Sequence, residues 1–252
     1  MSFPFLAALS YNAVINQYSS SGNYHVGNKG MVENGSLYRL CKAGAAITNP
    51  LAAKINAYTY LEGLTGYVAE TTAAAIAAGD TTVTITDATN SRAADYWKDG
   101  YLAIPSSGTY DVFHHIWKSD GEVSNTYKLY ITEPFIYAYA AGGTIAAYPS
   151  PWRNIKNAGA YSQGYEHFAC CIERPISSGY FFWGKVQGPH WAWITGTWPG
   201  AAQNDRDVCF WIDGTIKMQD EGINTSAISL QRAGYLMYSG NYGDAMIMLQ
   251  IE

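Results

Sequence analysis

Charge is scarce in this chain. Only 14% of its 252 residues are Asp, Glu, Lys or Arg, against about 25% in ordinary globular domains. Fifteen basic residues against twenty acidic ones leave a formal charge of -5. No basic block could neutralise a run of phosphates, so nucleic acid is not an expected partner. Long apolar runs are missing too. The stretch Ile136–Tyr148 is interrupted by Gly142, Gly143 and Thr144 and falls short of the roughly 18 residues a membrane helix needs, so no membrane partner is expected. Met1–Leu6 has no basic segment, and no secretory signal is expected there. The four cysteines, at 41, 170, 171 and 209, lack paired spacing, which predicts reduced thiols. Sustained 3.6-residue periodicity is absent, which argues against packed helices. No exact repeat period appears, which disfavours solenoids and propellers.

What the sequence has in excess is tyrosine: 21 Tyr, accompanied by 25 Gly and 8 Trp. Tyr and Trp suit pleated, half-buried surfaces and Gly supplies turns, so an all-β fold with aromatic surfaces is expected. Tyr also offers a large contact area with a polar tip, which makes its excess an interface signal. A chain of this length buries roughly 70 to 75% of its unfolded surface without covalent staples.

The punctuation divides the chain into three parts. Residues 1–62 read as an N-terminal arm and a short β-hairpin, its turn at Glu33-Asn34-Gly35-Ser36, where Asn-Gly suits positive φ. Residues 63–150 read as a first β domain and 151–252 as a C-terminal β domain, both barrel or sandwich units of jelly-roll type. In the first, residues 71–78 are a short helix or an extended linker. Thr81–Thr86 follows as a strand with Val83 and Ile85 on one face. Turns at Lys98-Asp99-Gly100, Ser106-Ser107-Gly108 and Ser119-Asp120-Gly121 separate strands at the spacing of a barrel or sandwich. Pro149-Ser150-Pro151 marks a boundary. In the last strand, 243–251, Ala245, Ile247, Leu249 and Ile251 share one side and Met246, Met248 and Gln250 the other. Both faces are mostly apolar, which predicts a central or interface-covered strand.

Chemistry-bearing motifs are few. A zinc site would draw on His167, Cys170 or Cys171, His190 and Cys209. Adjacent strand residues point to opposite faces, however, so Cys170 and Cys171 do not ligate together, and buried hydrophobic thiols are the favoured reading. His114 and His115 read as one inward and one outward strand residue. Neither a Gly-x-Ser-x-Gly elbow nor a phosphate-cradling glycine pattern occurs. Asp205, Asp207, Asp213, Asp220 and Glu221 could supply glycosidase carboxylates, but turn roles are favoured. No catalytic residue, metal or cofactor is expected. The aromatic cluster around Phe181, Phe182, Trp183, Trp191, Trp193, Trp198, Phe210 and Trp211 suits either a core, the favoured reading, or a sugar platform. Trp183, Trp191, Trp193 and Trp198 are the candidate glycan or interface aromatics.

The order of segments adds a resemblance. Ala77–Ala88, Tyr96–Ile104 and Tyr127–Pro134, followed by Phe182–Gly188, Trp211–Thr215, Ala233–Leu236 and Gly243–Leu249, make the chain resemble the capsid decoration, or cement, proteins of tailed bacteriophages. The resemblance spans about residues 31 to 251 and carries no catalytic motif. It implies a structural virion protein, made in the host cytoplasm, that binds the outer capsid surface and cross-links neighbouring major capsid subunits as a homotrimer. Phe3, Phe5, Leu6, Tyr11 and Tyr18 would then be apolar anchors toward the shell or a neighbouring protomer, unless the segment is a first strand tucked into its own domain. The Trp density between residues 183 and 211 departs from the Val, Thr and Ala of such proteins. It keeps a carbohydrate- or receptor-binding fibre as the alternative, with a glycoside hydrolase third.

Overall fold

The computed structural model describes residues 6–22, 24–48, 52–54, 70–87, 91–104, 113–157, 168–194, 206–211, 214–218, 231–239 and 244–251. Among these residues the fold is nearly all β: one helical turn, α1 (Tyr11–Val14), and eighteen strands. In chain order the strands are β1 (Ala7–Ala8), β2 (Gln17–Tyr18), β3 (Lys29–Met31), β4 (Leu37–Lys42), β5 (Ala52–Lys54), β6 (Glu70–Thr72), β7 (Thr82–Thr86), β8 (Gly100–Ala103), β9 (His114–Ser119), β10 (Thr126–Ile131), β11 (Thr144–Tyr148), β12 (Lys156–Asn157), β13 (Phe168–Cys171), β14 (Phe181–Trp193), β15 (Asp207–Phe210), β16 (Ile216–Met218), β17 (Arg232–Ser239) and β18 (Asp244–Gln250). No helix of the described residues is long and apolar enough to cross a membrane.

The chain forms two compact units. One is made of residues 58–151, and the other joins residues 1–57 to residues 152–252. The barrel unit is therefore an insertion. The contacts group the N-terminal strands with the C-terminal ones, whereas the sequence reading set 1–62 apart. The physical reason is long-range pairing: β4 runs antiparallel to β14, with Cys41 opposite Phe182 and Leu40 opposite Trp183. No local pattern announces such a partner.

In the inserted unit, β10-β7-β6-β11-β8-β9 close into a six-stranded barrel. The alternation along β7 turns Val83 and Ile85 inward and its threonines outward. Ile85, Leu102, Ile116 and Leu129 are fully buried in the interior. Closure leaves no unpaired strand edge in this ring. The tight turn between β9 and β10 falls at Ser124-Asn125, both with positive φ, flanked by reciprocal bonds between Val123 and Thr126. That is the type I′ geometry favoured between twisted strands, and it displaces the hairpin from the Ser119-Asp120-Gly121 signal. Residues 73–80 form no helix but bends and a turn around a bridge in which Ile76 exchanges two backbone bonds with Tyr139. This tertiary pairing overrides the helical propensity of the alanines.

In the other unit the sheet order is β1-β3-β4-β14-β18-β17-β15-β16, and β14 is its spine. Residues 181–187 of β14 pair with β4, and residues 187–193 pair with β18. The changeover is at Gly188, whose φ is +115°, with Ser36 pressed against the place a Cβ would occupy. Only glycine meets both conditions without strain. Each half of β14 covers its own core. Phe182 and Val186 pack with Cys41, Ile47, Ile155 and Cys170. Ile194, Val208, Phe210, Ile216, Ile247 and Leu249 fill the second, and a parallel bridge from Ile194 to Ile216 curls the sheet around it.

The N-terminal segment lies against this unit. β1 pairs parallel with β3, Ser10 caps α1 by accepting from the Ala13 amide, and Val14 is buried. Gln17 and Ser177 exchange two hydrogen bonds, and Arg174 donates to the Ile15 carbonyl. The tucked alternative thus describes residues 7–18. Phe3 and Phe5 lie outside the described residues.

Candidate interaction face

The outer face of β14, β18 and β17 carries an apolar cluster that nothing in the unit covers among the described residues. It arises from strand alternation. Ala245, Ile247 and Leu249 are fully buried, so Met246, Met248 and Gln250 must point the other way. The register places Met246 between Trp191 and Tyr238, and Met248 between Pro189 and Tyr235. Trp191 is 56% exposed, Trp193 60% and Tyr238 61%. Neighbouring strands are about 4.8 Å apart and side chains on one face recur about every 6.6 Å, so these rings form one contiguous surface. Covering each indole would contribute on the order of 3 kcal/mol.

A bulge widens the face. The β17–β18 register shifts between Leu236 and Tyr238, which sends Met237 and Tyr238 outward together. Strict alternation would have turned Tyr238 inward. At the rim, Arg232 Nη2 donates to Asp207 Oδ1 at 2.8 Å and Nη1 to Gln250 Oε1 at 3.0 Å. The pair is exposed and contributes little to stability, but it fixes a guanidinium at the edge of this face.

The other candidate residues are placed differently. Trp183, grouped in sequence with the platform aromatics, is buried against Val14, Val32, Tyr38 and Leu40, edge-on to Tyr24 at 5.4 Å. The favoured core reading holds for Trp183, Phe182 and Phe210 and fails for Trp191 and Trp193. Both lie beyond the point where β4 leaves β14, and among the described residues none overlays them. Trp198 lies outside the described residues. Leu6 and Tyr11 are exposed, whereas Tyr18 folds back, its hydroxyl donating to the Ala13 carbonyl at 3.0 Å.

All four cysteines are free and buried. Cys170 Sγ is 3.9 Å from Cys41 Sγ, and Cys209 Sγ donates to the carbonyls of Lys217 and Met218. Burial pushes the Cys171 thiol up to about 12. Among the described residues no three His, Cys, Asp or Glu side chains gather as a metal cage would require. His167 and the carboxylates Asp205, Asp213, Asp220 and Glu221 lie outside the described residues.

The densest polar group is structural in form. Lys185 Nζ is 2.6 Å from Glu173 Oε1 and donates to the Pro189 carbonyl at 2.9 Å. The Tyr38 hydroxyl donates to Glu173 Oε1 at 3.3 Å. Burial opposes ionisation of Glu173, but the Lys185 hydrogen bond and charge outweigh it and hold the carboxyl below its ordinary range. Burial, with the Glu173 charge and hydrogen bond adding to it, pushes the Tyr38 phenol well up. His190 is driven down to about 4, first by burial and then by Lys185, with Glu173 opposing. The imidazole is therefore neutral at pH 7.

Compared with known proteins, the chain matches no family model and no curated sequence.

Proposed function

We propose that the protein is a structural virion protein of the capsid-decoration class, which binds the outer surface of a phage head and cross-links neighbouring major capsid subunits. The exposed face of Trp191, Trp193, Tyr235, Tyr238, Met246 and Met248 carries this reading. Trp, Tyr, Met and Arg are the residues enriched in protein interfaces. Unbranched thioethers between the rings suit an adaptable protein contact better than a sugar ring. The segment order that resembles cement proteins supports the same class. Three linked copies would raise the effective concentration of each contact. A ligand that binds only the assembled shell stabilises it by mass action. A homotrimer would carry three charges of -5, or -15, so contacts between protomers would be apolar or paired.

The test is imaging and heating of particles with and without the protein. Copies on the head, genome release at a higher temperature when they are present, and at least tenfold lower occupancy for Trp191→Ala and Trp193→Ala are expected. Copies found only on the tail, or occupancy unaffected by both substitutions, would overturn the proposal.

A further inference from the structure

The outside of the barrel carries a second aromatic cluster of different chemistry. Tyr101 on β8 opposes His115 on β9, their ring centroids 6.1 Å apart. Two residues further along β9, Trp117 is 46% exposed and tilts 55° against Tyr130 of β10 at 5.6 Å. The register pairs Lys118 with Tyr130 and Ile116 with Ile131, so Trp117 is the extra residue of a bulge. Alternation after the buried Ile116 turns the indole outward, and the bulge keeps Lys118 on the same outer face beside it.

No methionine joins this cluster. Polar groups in fixed positions do. The Tyr130 hydroxyl donates to Asp120 Oδ2 at 2.8 Å, and Lys118 Nζ pairs with Asp120 Oδ1 at 3.0 Å. The ammonium groups of Lys118 and Lys128 lie 4.6 and 5.4 Å from the Tyr130 ring centroid. His115 Nδ1 is 3.1 Å from Thr132 Oγ1. The Lys118 and Asp120 side chains are still 44 and 40% exposed, so they retain room for further hydrogen bonds. The unit as a whole has four Lys and Arg against ten Asp and Glu, a formal charge of -6, while the other unit carries +1.

We propose that this surface is a carbohydrate site taking a neutral glycan. A pyranose presents an apolar C–H face and a ring of hydroxyls. The exposed Trp117 indole matches the first by stacking. Asp120 and Lys118, held at the edge of Tyr130, match the second as acceptor and donor in preset positions. Lys118 is already paired with Asp120, which leaves little free positive charge for an anionic sugar, and the unit's formal charge of -6 opposes sialylated or uronic-acid polymers at longer range. Neutral sugars incur no such cost. The absence of methionine from the cluster, and the pairing of its Lys118 with Asp120, distinguish it from the methionine-lined sheet face.

The test applies the full-length protein to an array of neutral glucans, mannans and galactans beside sialylated and uronic-acid polymers. Intrinsic fluorescence titration with the strongest neutral binder follows. Binding to at least one neutral polymer is expected, weakened at least tenfold by Trp117→Ala and by Asp120→Ala and unchanged by Trp191→Ala. Thermal unfolding of each variant serves as the folding control, and both barrel positions are exposed. Binding confined to anionic polymers, no binding to any neutral polymer, retention in Trp117→Ala, or loss in Trp191→Ala would each overturn the assignment.

Discussion

Lys185 lies with its Nζ 2.6 Å from Glu173 Oε1, in a strand whose buried residues are otherwise apolar except His190. Removing one partner of such a pair leaves a charge poorly solvated, whereas replacing both with apolar groups removes the desolvation cost altogether. Glu173→Leu and Lys185→Met are each expected to destabilise by about 2 kcal/mol, less than for a fully enclosed pair because the carboxylate is partly exposed. The double change Glu173→Leu with Lys185→Met is expected to recover most of that loss. Urea unfolding of the four proteins in a double-mutant cycle measures it, and additive losses would contradict this account.

His190 sets a pH dependence whose direction is fixed. Its folded value of about 4 lies below the ordinary 6.5, so between these values the unfolded chain binds the extra proton. Stability is complete above about pH 6.5 and declines as the pH falls toward 4, by about 3 kcal/mol in all. Glu173, also held below its ordinary range, adds a further loss at more acidic pH. In His190→Gln the decline between pH 6.5 and 4 should largely disappear from denaturant midpoints measured across that range.

Two tryptophans on the same strand should respond in opposite ways. Trp183→Ala opens a cavity among Val14, Val32, Tyr38 and Leu40 and is expected to cost about 3–5 kcal/mol. Trp193→Ala, at a surface position, should fall within about 0.5 kcal/mol of the parent. Calorimetry separates the two, and a large loss for Trp193→Ala would mean that the face is covered within the free protein.

Gly188→Ala tests the changeover in β14. With φ at +115° and Ser36 against the added methyl position, the substitution combines backbone strain with a steric clash. A loss of roughly 2 kcal/mol or more is expected. Chemical denaturation is a sufficient measurement, and a neutral result would show that the strand can slip its register there.

The sequence displayed the β class openly, through the period-2 runs of Thr81–Thr86 and 243–251. In the latter, the division between Ala245, Ile247, Leu249 and the outward Met246 and Met248 is the one the fold uses. What local pattern could not convey was pairing across the insertion. Nothing near Leu40 indicates that it will face Trp183, and nothing near Trp183 indicates that it will be covered while Trp191, on the same strand, will not. The outward Tyr238 was hidden for a second reason: it sits at a bulge, where one extra residue breaks the alternation on which inside and outside are read. Turn chemistry misled at Asp120-Gly121 because Ser124-Asn125 tolerates positive φ without glycine.

Lys54 and Lys156, 102 positions apart, stand opposite one another where β5 meets β12. To the flanking sheet, everything between them amounts to a single loop closed by a strand pair. Closure entropy grows only logarithmically, each doubling in length costing about 0.6 kcal/mol. The host sheet is therefore nearly indifferent to what it carries at this point. A different domain of similar size with neighbouring ends could be exchanged for the barrel without disturbing the pairing of the sheet that carries it.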